Sequence, residues 1–185
     1  MVKRAAMTKY LLTGLLLTST VPAAATAATS SPTDGRITAE GLIGYGVGFD
    51  SNNIYGFGFG ARAGYSWPFQ LYTGVSFQYY VGTSVGPVTI NIWTLEADFG
   101  YERVVGPLEL RSYLGIGIGD PKAAAGGQSV STVYFALMPG GVAIYNFNGP
   151  LAVGPYVGID LHMIWLVSAG GGNGLSFLAT GGYRF

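Results

Sequence analysis

The sequence predicts an all-β fold, an eight-stranded antiparallel up-and-down transmembrane β-barrel, from three observations. The carboxyl-terminal segment Leu175–Phe185 alternates apolar residues with residues that, apart from Leu178, are polar or small, which is the period of a β-strand with one face in lipid. The chain has 31 glycines, 14 % aromatic residues and only 10 % charged residues. After residue 28, however, no uninterrupted apolar stretch reaches the ~20 residues of a membrane-spanning helix. An apolar chain without such a helix satisfies its backbone groups in lipid by closing into a barrel.

The amino-terminal segment has the organisation of a secretory signal peptide. A basic region with Lys3, Arg4 and Lys9 is followed by the short apolar stretch Tyr10–Val21 and by the small residues Ala23–Ala28. We predict cleavage after Ala27, with Ala25 and Ala28 as alternative sites. A retained membrane helix is the other interpretation, and the shortness of the apolar stretch disfavours it. The predicted organisation is a signal peptide over residues 1–27, a short periplasmic segment over 28–35 and the barrel over 36–185.

Charge and cysteine content exclude several classes of function. The chain carries nine basic and nine acidic residues, and removal of the signal peptide leaves an acidic excess, so no basic surface for nucleic acid is expected. The absence of cysteine excludes disulfides, thiolate chemistry and a lipid-anchored lipoprotein.

Turn signals divide the rest of the chain into eight strands. We predict them at residues 36–50, 53–67, 69–82, 88–103, 107–119, 131–147, 151–167 and 174–185. The tight turns are Trp67–Phe69, Val104–Pro107 and Asn146–Pro150. The looser connections are Asp50–Asn53, Gly82–Pro87, Asp120–Ser131 and Ser168–Gly174. This asymmetry places the tight turns in the periplasm and the looser loops outside, and no long extracellular loop is expected.

The alternation in each strand assigns one face to lipid and the other to the lumen. In the second strand the predicted lipid-facing residues are Tyr55, Phe57, Phe59, Ala61, Ala63, Tyr65 and Trp67. In the sixth they are Phe135, Leu137, Ala143 and Tyr145. The mid-strand charges of all strands then fall in the lumen, as expected when Arg or Lys at the lipid midplane costs ~2–4 kcal/mol.

Two strands depart from regular alternation. Ile90 and Ile92 reverse the phase of the fourth strand above Trp93, which predicts a bulge or an extension above the bilayer. Pro139 in the sixth strand cannot donate to a β-ladder, and this predicts a distortion of the barrel wall.

The luminal charges form the first candidate site. They are Glu40, Arg62, Glu96, Asp98, Glu102, Glu109, Arg111 and Arg184. Eight strands leave an interior only just wide enough for side chains, and buried charges persist when they are paired, so a network that plugs the lumen is expected. Its role is open between a network for stability and a gate that opens.

The outer half of the lumen is the second candidate site. Inward-facing glycines lie on three strands, at positions 44, 46, 48, 56, 58, 60, 115, 117 and 119. They either make room for the luminal rings of Tyr80, Tyr134 and Tyr156, or line a vestibule that opens outward and holds a small ligand.

Catalytic and metal-binding signals are weak. Asp160 and His162 share a face and form the one acid–base pair worth considering, placed in the upper lumen, and we predict that His162 serves as a hydrogen-bonding residue. One histidine, no cysteine and scattered carboxylates predict no metal or other cofactor. The sequence therefore predicts no catalytic residues.

Over residues 36–185 the chain resembles the small eight-stranded outer-membrane β-barrels, the family of the outer membrane protein A barrel and of outer membrane protein X. The resemblance depends on strand number, turn asymmetry, luminal charges and the terminal Tyr183-x-Phe185. It implies a bacterial outer-membrane location. It also implies contact with outer-membrane lipid, handling by periplasmic chaperones, and a barrel-assembly machinery that reads Tyr183 and Phe185. No nucleic-acid partner is expected, and the barrel is expected to be a monomer.

Two departures from this family limit what the resemblance implies. The sequence ends at Phe185 without a peptidoglycan-binding domain, and no long loop is predicted, so tethering to the cell wall and strong loop-mediated adhesion are not expected. Two functions remain open. One is a structural protein of the cell envelope with a largely plugged lumen, and the other is a minor gated pore or a small-ligand-binding barrel.

Overall fold

A computed structural model describes residues 35–49, 54–85, 87–167 and 172–185 of the chain. Its strands are β1 (Arg36–Gly48), β2 (Gly56–Ser66), β3 (Leu71–Val85), β4 (Val88–Val105), β5 (Leu108–Ala125), β6 (Gln128–Ser131), β7 (Tyr134–Asn146), β8 (Gly154–Val167) and β9 (Gly174–Arg184). The predicted signal peptide and almost all of the segment that follows it lie outside the described residues, as does most of two predicted loops, 50–53 and 168–174. Among the residues described, no helix is long and apolar enough to cross a membrane.

Antiparallel pairing closes the sheet into a barrel of eight strands. Each barrel strand pairs with its neighbours in sequence, and β1 pairs with β9 from Thr38↔Arg184 to Gly48↔Gly174. The short strand β6 pairs only with the outer end of β5 and is not one of the eight barrel strands. The predicted fold class is thus confirmed.

The predicted lipid face points outward on every barrel strand, with one exception at the residue before β2. Tyr55 was expected to face lipid, but its side chain is 0 % exposed and its hydroxyl donates to the Gly172 carbonyl oxygen at 2.7 Å. The reason is the backbone of Gly56, whose φ of 78° lies in the left-handed region and breaks the alternation just before β2 begins. Tyr55 therefore turns inward and packs edge-on against Tyr80.

The predicted loop Asp120–Ser131 is largely an ordered hairpin. Strand β5 continues to Ala125, Gly126 and Gly127 turn the chain with φ values of 58° and 81°, and β6 returns along β5. Two central residues with positive φ are the usual requirement of a tight hairpin turn. Strands β4 and β5 have 18 residues each against 11 in β2, so this side of the barrel extends past its outer end. The prediction of a loop over Asp120–Ser131 is therefore wrong, because most of this segment is paired strand.

The two predicted irregularities are both present in altered form, and β4 extends past the outer end of the barrel, as one alternative predicted, without a phase reversal of its own. Ile92 points into the lumen in phase with the rest of β4, and the register shift at this level occurs in β3, between Val81 and Ser84. The side chains of β7, which is the sixth predicted strand, face as predicted, and Pro139 is exposed. Its pairing with β8 is interrupted between Leu137↔Trp165 and Gly140↔His162, with the same register on both sides.

Candidate functional site in the barrel lumen

Arg62 is the centre of the luminal charges. Strand β2 places it opposite Glu40 on β1, and its Nε lies 3.1 Å from Asp98 Oδ2 while its Nη2 lies 2.7 Å from Asp160 Oδ2. The expected partner Glu40 is more distant, at 3.9 Å from Nη1. The guanidinium also lies over the ring of Tyr113, 4.7 Å from its centroid. Arg62 on β2 thus contacts side chains from four other strands, β1, β4, β5 and β8.

Ion pairs of Arg62 and hydrogen bonds among its neighbours form a closed circuit, which we call the lumen ring. Its members, in order, are Arg62, Asp98, Ser76, Glu96, Gln78, Tyr80, His162 and Asp160, and all are at most 2 % exposed. Ser76 Oγ lies 3.0 Å from Asp98 Oδ2 and 2.7 Å from Glu96 Oε1, which also accepts from Gln78 Nε2 at 2.8 Å.

The other half of the lumen ring runs through Tyr80 and His162. The Tyr80 hydroxyl donates to Gln78 Oε1 and lies 3.3 Å from His162 Nε2. His162 Nδ1 lies 2.6 Å from Asp160 Oδ1, and this returns the circuit to Arg62. Asp160 and His162, predicted as a separate pair in the upper lumen, are therefore part of the charge network.

A second group of charges lies closer to the periplasmic end, and we call it the periplasmic cluster. Arg111 contacts Glu40 Oε1 at 2.8 Å and Glu102 Oε1 at 2.9 Å. Arg184 holds Glu109 with both terminal nitrogens, at 2.8 and 2.7 Å, and its Nη2 lies 3.7 Å from Glu102. Two-point contacts between arginine and a carboxylate are among the stronger hydrogen-bonded pairs.

Acidic groups outnumber basic ones among these luminal side chains. The buried carboxylates are Glu40, Glu96, Asp98, Glu102, Glu109 and Asp160, and the buried guanidiniums are Arg62, Arg111 and Arg184. Glu96 makes no ion pair with a described residue and is held by Ser76 and Gln78. Within the described residues, no group of three or more acidic, histidine or cysteine side chains could hold a metal ion.

Apolar side chains fill the outer half of the lumen. This apolar layer consists of Leu42, Tyr55, Tyr80, Ile92, Ala136, Met138, Ile164, Leu166 and Leu178, all at most 3 % exposed. A vestibule open to the outside would leave these walls accessible to water. The predicted vestibule is therefore wrong, because side chains from six strands and the residue before β2 meet in that space.

Glycine makes room for the luminal ring of Tyr80, as the packing alternative predicted, because a Cβ on Gly58 would lie 2.6 Å from that ring. The expectation that Tyr156 lies in the outer half is wrong: it pairs with Gly182 near the periplasmic end of β8, and a Cβ on Gly182 would lie 2.6 Å from its ring. The same relation holds for Tyr72, whose hydroxyl would lie 2.1 Å from a Cβ on Gly64. Close approach of a ring from one strand to the backbone of another requires glycine at these positions.

Comparison with known proteins is informative only at the level of structure. No protein-family model matches the sequence, and no curated protein matches it significantly. Among solved structures, a major outer membrane protein from Thermus thermophilus is 14 % identical with a TM-score of 0.63, covering 82 % of this chain and 100 % of that one. Neisserial surface protein A is 13 % identical with a TM-score of 0.59, covering 81 % and 95 %. Ail, the attachment invasion locus protein of Yersinia pestis, is 17 % identical with a TM-score of 0.52, covering 82 % and 97 %.

The chain has the fold of the small eight-stranded outer-membrane barrels. In this outer-membrane-type barrel, each of the eight predicted luminal charges is buried and faces inward. Tyr183 and Phe185 lie on the lipid-facing wall, with ring centroids 4.9 Å apart. Their predicted role in assembly stays a prediction.

The sequence did not identify the neutral members of the lumen ring. Ser76, Gln78 and Tyr80 share the inward face of β3, but nothing in their spacing indicated that they connect Asp98 to His162. Tyr113 also lies in the lumen, and its hydroxyl lies 3.0 Å from both carboxylate oxygens of Asp160 and accepts from Arg62 Nη2. The available signal was a run of inward polar residues on β3 opposite the acidic residues of β4.

Proposed function

We propose that this barrel is a structural protein of a bacterial outer membrane that contributes to envelope integrity and whose lumen is closed by its own side chains. The observation that carries the proposal is the lumen ring, which connects β2, β3, β4 and β8. The apolar layer above it and the periplasmic cluster below it support the same interpretation.

The energetics of opening favour a closed lumen. A continuous water path would have to separate at least one buried, hydrogen-bonded ion pair, and loss of one partner of such a pair costs about 3–5 kcal/mol. Because each 1.4 kcal/mol is a factor of ten, an open state of that kind would be populated at less than about one part in a hundred. The lumen would then carry no steady flow of ions.

Biogenesis follows from the same proposal. After export and removal of the signal peptide, periplasmic chaperones would keep the apolar strands apart, and the barrel-assembly machinery would read Tyr183 and Phe185. The mature barrel would insert as a monomer in contact with outer-membrane lipid. Exposed apolar side chains form a band over all eight barrel strands, and contact with lipid requires such a band.

Conductance across a planar bilayer tests the closed lumen. Refolded chain 28–185 is compared with Glu40→Gln/Arg62→Gln, which weakens both groups of charges, and with Lys122→Gln, which changes an exposed charge outside the lumen. We expect the wild type and Lys122→Gln to be closed for at least about 99 % of the recording. A larger open fraction in the folded wild type would refute the closed lumen, and a change of that fraction in the double variant would identify the luminal charges as a gate.

A minor gated pore is the alternative function, and the acidic excess of the lumen is the observation that favours it. Six carboxylates against three guanidiniums would select cations over anions if a path opened. A salt gradient across the same bilayer tests this, because a cation-selective pore shifts the reversal potential toward the cation value. If any observed current shows no preference for cations over anions, a cation-selective path along these carboxylates is excluded.

We also propose that the chain is not an enzyme. His162 is 1 % exposed, with Nδ1 against Asp160 and Nε2 beside Tyr80, so a substrate cannot reach it without opening the lumen ring. Mass spectra of lipid A after expression should be unchanged. Loss of an acyl chain, abolished by His162→Ala, would contradict this.

A further inference from the structure

The lipid-facing wall contains a hollow that lies across several strands. Its floor consists of the small residues Ser112, Gly141 and Ala143, and its volume is about 620 Å³. Its sides are formed by Tyr101, Leu110, Ile159, Leu161 and Phe177. Because all of these side chains are on the outer face, the hollow opens to the bilayer and not to the lumen.

An arginine lies at one end of this hollow. Arg103 has the lipid-facing phase of β4, two residues beyond Tyr101 and beside the tight turn between β4 and β5. It forms no ion pair with any residue that the structure describes, unlike the three luminal arginines. Near the membrane interface an outward arginine costs only ~0–1 kcal/mol, whereas at the midplane it costs ~2–4 kcal/mol. Arg103 therefore offers its charge at the level of the periplasmic headgroups.

The strand register shows which way the hollow runs. Tyr101, near the periplasmic end of β4, is in one cross-strand row with Ser112, Gly141, Leu161 and Phe177. The same row continues to Tyr45 near the outer end of β1. Because the strands of a barrel are tilted, residues along a row perpendicular to the strands lie at successively different depths in the membrane. From Arg103 the hollow thus rises from the periplasmic interface into the hydrocarbon.

A second hollow on the same wall provides an internal comparison. It is lined by Ala39, Gly41, Ala61, Ala63, Val75 and Phe77, and its volume is about 650 Å³. The charged residues beside it, Glu40 and Arg62, direct their side chains into the lumen. The two hollows are similar in size, but only the first has an exposed cation at its end.

We propose that the Arg103 hollow is a binding site for a glycerophospholipid of the periplasmic leaflet, with the lipid phosphate on Arg103 and one acyl chain along Ser112 and Gly141. Guanidinium matches phosphate with paired, charge-assisted hydrogen bonds. The small residues form a channel for hydrocarbon between the larger side chains. The climb of the hollow from the headgroup level matches the path of an acyl chain attached to that phosphate.

Native mass spectrometry of the folded barrel tests the site, with phosphatidylglycerol as the probe. Arg103→Gln removes the charge, and Gly141→Leu fills the floor, where a Cβ would meet only the Arg111 carbonyl oxygen at 3.4 Å. The matched controls are Lys122→Gln for the charge and Gly181→Leu for the filling. Gly181 is on the lipid face with nothing within 4 Å of its Cβ position.

We expect one phosphatidylglycerol retained per wild-type barrel and at least tenfold weaker retention in Arg103→Gln and in Gly141→Leu, with both controls unchanged. Diacylglycerol, which lacks the phosphate, and inorganic phosphate alone should each bind at least tenfold more weakly than the phospholipid. Equal retention in wild type and Arg103→Gln would overturn the proposal. So would equal losses in Gly141→Leu and Gly181→Leu, because the lipid would then follow general wall shape and not this hollow. If Gly141→Leu does not fold, Arg103→Gln against Lys122→Gln decides alone.

Discussion

Substitution of Arg62 by glutamine should destabilise the barrel strongly. Arg62 contacts Asp98 at 3.1 Å and Asp160 at 2.7 Å, and all three side chains are at most 1 % exposed. Glutamine keeps hydrogen-bonding capacity but removes the charge. Two buried carboxylates then lose their cation at once, with only neutral partners and His162 left beside them.

The magnitude follows from this burial. Removal of one partner of a buried ion pair costs about 3–5 kcal/mol, because the remaining charge stays uncompensated in a medium that solvates it poorly. Since Arg62 serves two close carboxylates, we expect a loss of free energy of unfolding near the upper end of that range. Arg62→Lys keeps the charge but not the planar fork, and its loss should be smaller.

Urea unfolding in lipid vesicles, followed by tryptophan fluorescence, measures this effect. Lys122→Gln is the control, because Lys122 is exposed on the outer hairpin. The double variant Arg62→Gln/Asp160→Asn should lose less than the sum of the two single variants, since it removes both charges of the closest pair. A single Arg62→Gln within about 1 kcal/mol of wild type would refute the argument, because the lumen ring would then not depend on its central cation.

Three further predictions concern the wall. Gly58→Val should lower the free energy of unfolding by about 1–3 kcal/mol, because its Cβ would lie 2.6 Å from the Tyr80 ring, whereas Gly181→Val should be nearly neutral in the same urea titration. Pro139→Ala restores a backbone N–H where the ladder with β8 is interrupted, and it should raise the unfolding midpoint by the equivalent of about 0.5–1.5 kcal/mol; an unchanged or lower midpoint would contradict this. Phe185→Ala should slow the appearance of folded barrel in the outer membrane without a matching loss of stability, since Phe185 is 61 % exposed to lipid. Normal assembly kinetics in pulse-labelled cells would argue against the predicted signal.

Much of the barrel architecture is predictable from the sequence, because the pattern of each membrane-spanning strand depends on residues within that strand. Alternation with a period of two is visible in a single strand, and a charge on the wrong face is expensive whichever strands lie beside it. Which side chains face lipid was therefore predictable even in β7, where both faces of the strand are apolar. The side chain of Tyr55 was predicted on the wrong face, because Gly56 has a positive φ and the alternation does not continue across such a residue.

The hairpin of β5 and β6 shows a second limit. Asp120–Ser131 has the glycines and small polar residues of a loop, and β6 has only four residues. Its strand conformation depends on pairing with the outer end of β5, which in turn is extended by pairing with β4. Such support comes from neighbours and leaves little trace in the composition of the segment.

The sequence by itself determined the fold class, the positions of the barrel strands and the luminal location of the eight charges. All three depend on the periodicity of residues within single strands. Only the tertiary structure decided which charges meet. Arg62 is closer to Asp160 on β8 than to Glu40 on the adjacent strand, and Arg184 pairs with Glu109 across the lumen. The physical reason is that side chains in a narrow barrel contact one another across the axis, where the distance depends on tilt, register and ring packing of all the strands together.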